Sequence, residues 1–174
     1  MKIDFSDIDD WREFENLVAD YFREIKSYDG NNLIDVQVEQ SGGGPDGGRD
    51  ILLTFNINDS IVSFKRKWLV QCKFYKGDVL KSHFSDQNLT SLIQEYNATG
   101  YLLVCKSNVH GGVTTMFENL RKNCKYDLNY EIWNGDHFRH RLTFAESVLE
   151  TYFPDYFHYK EERKIQLEKL KAGI

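Results

Sequence analysis

The sequence predicts an α/β domain built on a mixed sheet, and three features of its patterning predict it. An amphipathic helix comes first, three extended segments follow as a meander, and helices then alternate with short apolar strands. At 174 residues the chain suits one domain with a proper core and is too short for two comfortable ones.

The first helix runs from about Asp9 to Ile25. Trp11, Phe14, Leu17, Val18, Tyr21, Phe22 and Ile25 recur at helical spacing, and Ser6, Asp7 and Asp9 offer N-caps. Most of its charges fall opposite that stripe, but Glu15 lies at the stripe's edge, one turn from Trp11 and Val18. A carboxylate drawn toward the interior there needs a partner or a metal. A turn at Asp29-Gly30-Asn31-Asn32 leads into a strand from Leu33 to Glu39, where Ile34, Val36 and Val38 alternate with polar neighbours. The glycine-rich loop from Ser41 to Arg49 precedes a second strand, Asp50 to Phe55, and a polar connection from Asn56 to Ser60 leads to a third, Trp68 to Tyr75.

Beyond it come a helix near Asp86–Tyr96, a strand Tyr101–Cys105, a helix Thr114–Cys124 and a strand Tyr130–Trp133. Thr143 and Glu146 form a T-x-x-E capping box that opens the last core helix, with Phe144, Val148, Leu149 and Tyr152 apolar. From Tyr159 to Leu170 the pattern is a charged helix with little to bury. The expected division is therefore a domain over 1–158 and a charged C-terminal helix over 159–174, which would link to a partner region.

The chemistry concentrates in Val70-Gln71-Cys72-Lys73-Phe74. Side chains alternate along a strand, so Gln71 and Lys73 share one face, and Val70, Cys72 and Phe74 the other. A lysine in a core strand is costly without a counter-charge, and Asp50, opening the preceding strand, can supply it if the two strands are neighbours. With Glu15 this gives two carboxylates, an amide and an ammonium at one end of the sheet. A hard cation such as Mg²⁺ takes oxygen ligands of this kind and polarises a phosphoryl oxygen. A lysine beside it orients or deprotonates the attacking water and neutralises developing charge.

The run GGGPDGGRD-I (Gly42 to Ile51) followed by WLVQCKFYKGDV (Trp68 to Val79) resembles the Mrr-like branch of the PD-(D/E)xK nuclease superfamily, which carries a D…QxK motif. Asp50 matches the family's catalytic aspartate, Gln71 and Lys73 its motif glutamine and lysine, and Glu15, in F-E-x-L-V-A (Phe14 to Ala19), its first-helix acid. YLLVCKSN and YEIWNGDHF are similar to later family elements, so the likeness covers roughly Asp9 to Leu142. The resemblance implies a restriction-endonuclease-like three-layer fold, with a central mixed sheet flanked by helices. It implies Mg²⁺-dependent cleavage of double-stranded DNA, with Mn²⁺ as a substitute. The metal ligands would be Asp50, Gln71, Glu15 and the backbone carbonyl of Cys72. Gln71 is neutral, so the site has one fewer charge than a D…ExK site, and whether one metal binds or two stays open. Mrr-like domains are commonly fused to other regions, so a homodimer, or a fused or associated NTPase, sensor or DNA-targeting region, is the expected partner.

Arg49, Lys76, Lys81 and His83 are candidate contacts for the DNA backbone, with solvated surface charge as the competing reading; Lys106, Asn108 and His110 follow the fourth strand on a loop bordering the cleft. Asp46 reads as a turn residue in Pro-Asp-Gly, with an outer-shell metal ligand as its other reading. The loop glycines serve either a tight turn or close backbone approach to phosphate. His137 and His140 fall in a short amphipathic helix where packing is the expected role.

The net charge of −5 does not by itself suggest a DNA-binding protein. The tail is the exception, with Lys160, Arg163, Lys164, Lys169 and Lys171 against Glu161, Glu162 and Glu168. Cys72, Cys105 and Cys124 sit far apart without CxxC spacing, which points away from zinc and disulfides toward a reducing cytoplasm. No stretch approaches the ~20 apolar residues of a membrane span. Two other functions compete with the DNA endonuclease: a catalytically weak or inactive nuclease fold serving in DNA binding or assembly, and a nuclease acting on RNA or single strands.

Overall fold

The computed structural model describes residues 1–25, 32–41 and 49–173. The turn expected at Asp29–Asn32 and the glycine-rich loop with Asp46 lie largely outside them. The elements in order are α1 (Trp11–Glu24), β1 (Leu33–Gln40), β2 (Ile51–Asn58), β3 (Ser63–Lys73), α2 (Leu89–Glu95), β4 (Gly100–Cys105), α3 (Gly111–Asn123), β5 (Asn129–Trp133), α4 (Gly135–Leu142), α5 (Glu146–Tyr152) and α6 (Pro154–Ala172). The sheet order is β1-β2-β3-β4-β5. Its first two junctions are antiparallel and its last two parallel, so the sheet is mixed, as the patterning predicts.

Alternation along the strands builds two cores. Ile51, Leu53, Val70, Cys72, Leu102 and Val104 face α1, α4 and α5, where Phe14, Leu17 and Phe138 are fully buried. Leu52, Leu69, Tyr101, Leu103 and Cys105 face α2 and α3, meeting Ile93, Val113 and Phe117. Every residue of β4 is buried, as befits a central strand paired in parallel on both sides and covered on both faces.

Several local expectations change. Asp10, not Ser6, Asp7 or Asp9, caps α1, accepting from the N–H groups of Arg12 and Glu13 at 2.8 and 2.9 Å. Trp11, expected in the buried stripe, is 47% exposed and carries the Arg12 guanidinium 5.0 Å from its ring, because the first turn precedes the helix's contact with the sheet. Ile34 is 58% exposed because the register shifts between Leu33 and Asp35, so this residue leaves the alternation of β1.

The β2–β3 hairpin is longer than expected, pairing out to Asn58 and Ser63. Lys65, Arg66 and Lys67 hide this in the sequence: the ladder continues where the apolar pattern has stopped. The T-x-x-E capping box does not form. The Thr143 hydroxyl instead donates to the His140 carbonyl within the last turn of α4. Glu24 of α1 caps α5 from outside, accepting from the N–H groups of Ser147 and Val148 at 3.2 and 3.0 Å. Phe144, expected in the core, is 63% exposed just before that helix starts. The charged helix α6 begins at Pro154, where proline suits a first turn, and buries no residue fully.

Candidate active site

Asp50 sits at the entry to β2 and is held there by backbone on both sides. Its N–H donates to the Val70 carbonyl at 2.9 Å, and its carbonyl accepts from the Ser41 N–H at 2.8 Å. The Ser41 hydroxyl also donates to the Arg49 carbonyl at 3.0 Å, fixing the residue just before.

Pairing of β2 with β3 ends at Ile51 opposite Val70, but β3 runs on through Gln71, Cys72 and Lys73, paired only with Leu103, Val104 and Cys105 of β4. The Asp50 side chain enters the gap so left. Its Oδ2 accepts from the Gln71 Nε2 at 2.6 Å and from the Cys72 N–H at 2.5 Å. Because a strand residue turns its N–H and carbonyl to the same side, the Cys72 carbonyl faces this gap as well. The Lys73 carbonyl points the other way and accepts from the Lys106 N–H at 3.0 Å.

Gln71 is only 5% exposed, and its Oε1 is buried with no hydrogen-bond partner among the described residues. Buried polar atoms are rarely left in that condition, so an unpaired amide oxygen beside a carboxylate calls for an explanation. A hard cation provides one, since it takes carboxylate, amide and carbonyl oxygens together. Among the described residues no three His, Cys, Asp or Glu side chains cluster around one point. A donor set drawn from Asp50, Glu15, Gln71 and the Cys72 carbonyl would mix two carboxylates with neutral oxygens.

Glu15 and Lys73 stand beside this core. Burial first, then the Asp50 and Glu15 carboxylates, push the Cys72 thiol well above its ordinary range. Both acids therefore act on the same residue of β3, one from β2 and one from α1. The Lys73 amine lies 5.8 Å from the Phe84 ring and 6.0 Å from the Tyr75 ring, on the α2 side of the sheet. Burial pushes the Cys105 thiol up to about 12, opposed by the Lys73 charge. Cys72 and Cys105 are thus neutral buried groups, as expected for small hydrophobes.

The other candidates are spread around this end of the sheet. The Arg49 guanidinium stacks 4.5 Å from the Tyr96 ring, with its Nε buried and without a partner among the described residues. His83 accepts from the Leu80 N–H through Nδ1 at 3.1 Å and packs 4.4 Å from the Tyr75 ring, so it braces its own loop. His110 likewise caps α3 through the Gly112 N–H. Lys76 and Asn108 line an open cavity at the ends of the central strands. His137 and His140 are exposed, their rings 6.4 and 5.6 Å from those of Trp133 and Phe144. Tyr75 and Arg139, which also line that cavity, were not legible as site residues. Tyr75 follows Gln71 and Lys73 at the same two-residue spacing, and that period is the signal that finds it. Nothing in the sequence marks Arg139.

A mixed five-stranded sheet between helices is the architecture of an α/β nuclease fold. The chain belongs to the restriction endonuclease family, whose Mrr catalytic model matches residues 8–142. It is similar in structure to the DNA modification-dependent restriction endonuclease AspBHI, with 18% identity and a TM-score of 0.54 over 83% of this chain and 34% of that one. A second similar structure is the MspJI restriction endonuclease in complex with a 27-mer oligonucleotide, at 14% identity and a TM-score of 0.46 over 80% of this chain and 32% of that one. The chain spans about a third of the length of these two enzymes. No curated protein matches it.

Proposed function

We propose that the chain is a metal-dependent endonuclease domain that hydrolyses DNA phosphodiester bonds in restriction or defence against phage. The observation that carries this reading is the gap at the end of β3, where Asp50, the Gln71 oxygen, unpartnered among the described residues, and the Cys72 carbonyl side of the strand meet. Membership of the restriction endonuclease family supports DNA as the substrate.

Asp50, Gln71, Glu15 and the Cys72 carbonyl would hold Mg²⁺, with Mn²⁺ as a substitute. When bound, the cation polarises the phosphoryl oxygen and lowers the pKa of a water. Gln71 would offer its amide oxygen while its amide nitrogen holds Asp50 at 2.6 Å. Asp50 contributes charge from a backbone pinned by Ser41 and Val70. Lys73 donates to the attacking water or to the charge that develops on the phosphoryl oxygens. Arg49, Lys76, His83 and Asn108 meet the DNA backbone around the gap.

Cutting both strands needs two sites, so the domain works as a homodimer or beside a fused or associated NTPase, sensor or DNA-targeting region. The matched part of AspBHI is 34% of that chain, which accords with a cleavage module working beside other regions. All three cysteines are free, and among the described residues no helix is long and apolar enough to cross a membrane. A cytoplasmic site of action accords with the thiols.

The test is plasmid cleavage in Mg²⁺, Mn²⁺ or EDTA by the wild type, Asp50→Asn and Lys73→Met. Nicking or linearisation that needs the metal and is lost in both variants supports the reading. Cleavage undiminished in both variants removes these residues from the site.

A further inference from the structure

A cavity of about 320 Å³ opens beside the candidate site, where the ends of β3 and β4 meet the start of α4. Its size sits at the small end of ligand pockets, which run from ~300 to 1,000 Å³. Its rim is fastened. The Ser107 hydroxyl donates to the Gly77 carbonyl at 2.7 Å, the Val79 N–H to the Asn108 carbonyl at 2.9 Å, and the His110 N–H to the Val79 carbonyl at 3.0 Å. At the floor, the Gly135 N–H donates to the Ser107 carbonyl at 3.0 Å. The backbones approach so closely there that a Cβ on Gly135 would fall 2.2 Å from the Lys106 carbonyl oxygen.

Two of the cations lining this cavity are seated on aromatic rings. The Lys106 amine lies 3.9 Å from the Phe74 ring, and the Arg139 guanidinium 4.7 Å from the Phe5 ring. Charges held on such seats lose less freedom when they bind an anion. Lys76 adds a third positive charge at the edge. Asp4, Asp78 and Asp136 line the cavity too, and Asp136 pairs with Arg139 at 2.8 Å. The cavity therefore offers donors and acceptors together, which suits a phosphate joined to a base better than a free anion.

Tyr75 connects this cavity to the site. Its ring lies 6.0 Å from the Lys73 amine, and the residue lines the cavity. Tyr75 is 39% exposed, yet its ring is braced by His83 at 4.4 Å, which is itself held by the Leu80 N–H. An accessible, immobilised aromatic face one side-chain length from a lysine of the site is what a nucleobase stacks on.

We infer that the cavity is a subsite for the nucleotide next to the scissile phosphate. Lys106, helped by Lys76, takes that nucleotide's phosphate, and Tyr75 takes the face of its base. The inference rests on the reading of the site as a DNA hydrolase. It makes the motif strand serve twice, with Lys73 at the bond broken and Tyr75 at the neighbouring residue.

The test is fluorescence anisotropy of a labelled DNA duplex with Ca²⁺ in place of Mg²⁺, over a series of NaCl concentrations. The proteins are the wild type, Lys106→Met, Tyr75→Leu, Tyr75→Phe and the control Lys122→Met on the exposed side of α3, each checked for an unchanged melting temperature. Lys106→Met should weaken binding and lower the slope of log affinity against log salt by about one, whereas Lys122→Met should leave that slope alone. Tyr75→Leu should weaken binding about fivefold or more, and Tyr75→Phe should restore it. Wild-type affinity and slope in both Lys106→Met and Tyr75→Leu would overturn the subsite. Plasmid cleavage by the wild type in Mg²⁺ that is lost in Asp50→Asn would then still uphold the site at Asp50. A wild type that neither binds nor cuts DNA overturns both.

Discussion

The Asp50 carboxylate replaces the strand pairing that β2 ceases to give β3: its Oδ2 accepts at once from the Gln71 amide at 2.6 Å and from the Cys72 N–H at 2.5 Å. One oxygen thus does structural work and stands where the candidate metal site requires charge. The two roles separate by substitution.

Asp50→Ala removes the acceptor and leaves the Cys72 N–H and a nearly buried amide without it, a loss of ~1–3 kcal/mol in unfolding free energy. Asp50→Asn keeps an acceptor oxygen and recovers most of that loss. Neither variant should cleave DNA. Urea unfolding beside plasmid cleavage checks this; an Asn variant as unstable as the Ala variant would mean the two bonds contribute little.

Gln71→Glu places a second carboxylate against Asp50. Without metal the two charges repel, so the melting temperature falls, by about 2–4 °C for each ~1 kcal/mol at this chain length. A cation between them relieves the repulsion, so Mg²⁺ raises the melting temperature of the variant more than that of the wild type. Thermal melts with Mg²⁺ and with EDTA measure both shifts. Equal shifts in the two proteins would place residue 71 outside the metal's reach.

The parts of the fold legible in the sequence were those fixed by repeating local pattern. The stripe from Phe14 to Phe22, the apolar run of β4 and the motif alternation at Gln71 and Lys73 each announce an element and a face. What stayed hidden depended on residues distant in the chain. The β2–β3 hairpin continues through Lys65 to Lys67 because β2 pairs with them, not because they are apolar. Thr143 and Glu146 have the spacing of a cap, but Glu24 reaches the start of α5 first. The candidate site was legible as residue types on two strands and a helix, whereas the gap where Asp50 meets Gln71 and Cys72 follows from where β2 stops pairing. The cavity walled by Tyr75 and Arg139 draws on β3, β4 and α4 at once, and no local pattern carries that.

Glu24 supplies the capping acceptors that α5 lacks in its own sequence, since Ala145 precedes it with no side-chain bond to give. Glu24→Ala therefore costs ~0.5–2 kcal/mol, as loss of an N-cap does. Glu24→Gln keeps one acceptor and gives up the charge favoured at a helix N-terminus, so it costs less. Denaturant unfolding ranks the three proteins. DNA cleavage by all three should be equal, because α5 lies away from the gap; a loss of cleavage at full stability would show that α1 transmits the cap to Glu15.

Alkaline pH should destabilise the domain through its buried thiols. Burial first, opposed by the Lys73 charge, raises Cys105 to about 12 from an ordinary 9.0, and burial also raises Cys72 and Tyr101. The folded state then holds protons that the unfolded chain releases. Stability from Cys105 is complete below pH 9.0 and is lost as pH climbs from there through about 12. Each such group adds a slope of up to ~1.4 kcal/mol per pH unit within its window. Cys105→Val, close in volume and unable to ionise, should flatten the fall measured by urea unfolding between pH 9 and pH 11. Parallel profiles for wild type and variant would mean that the thiol meets solvent before the fold is lost, and that the Lys73 side of β3 opens locally.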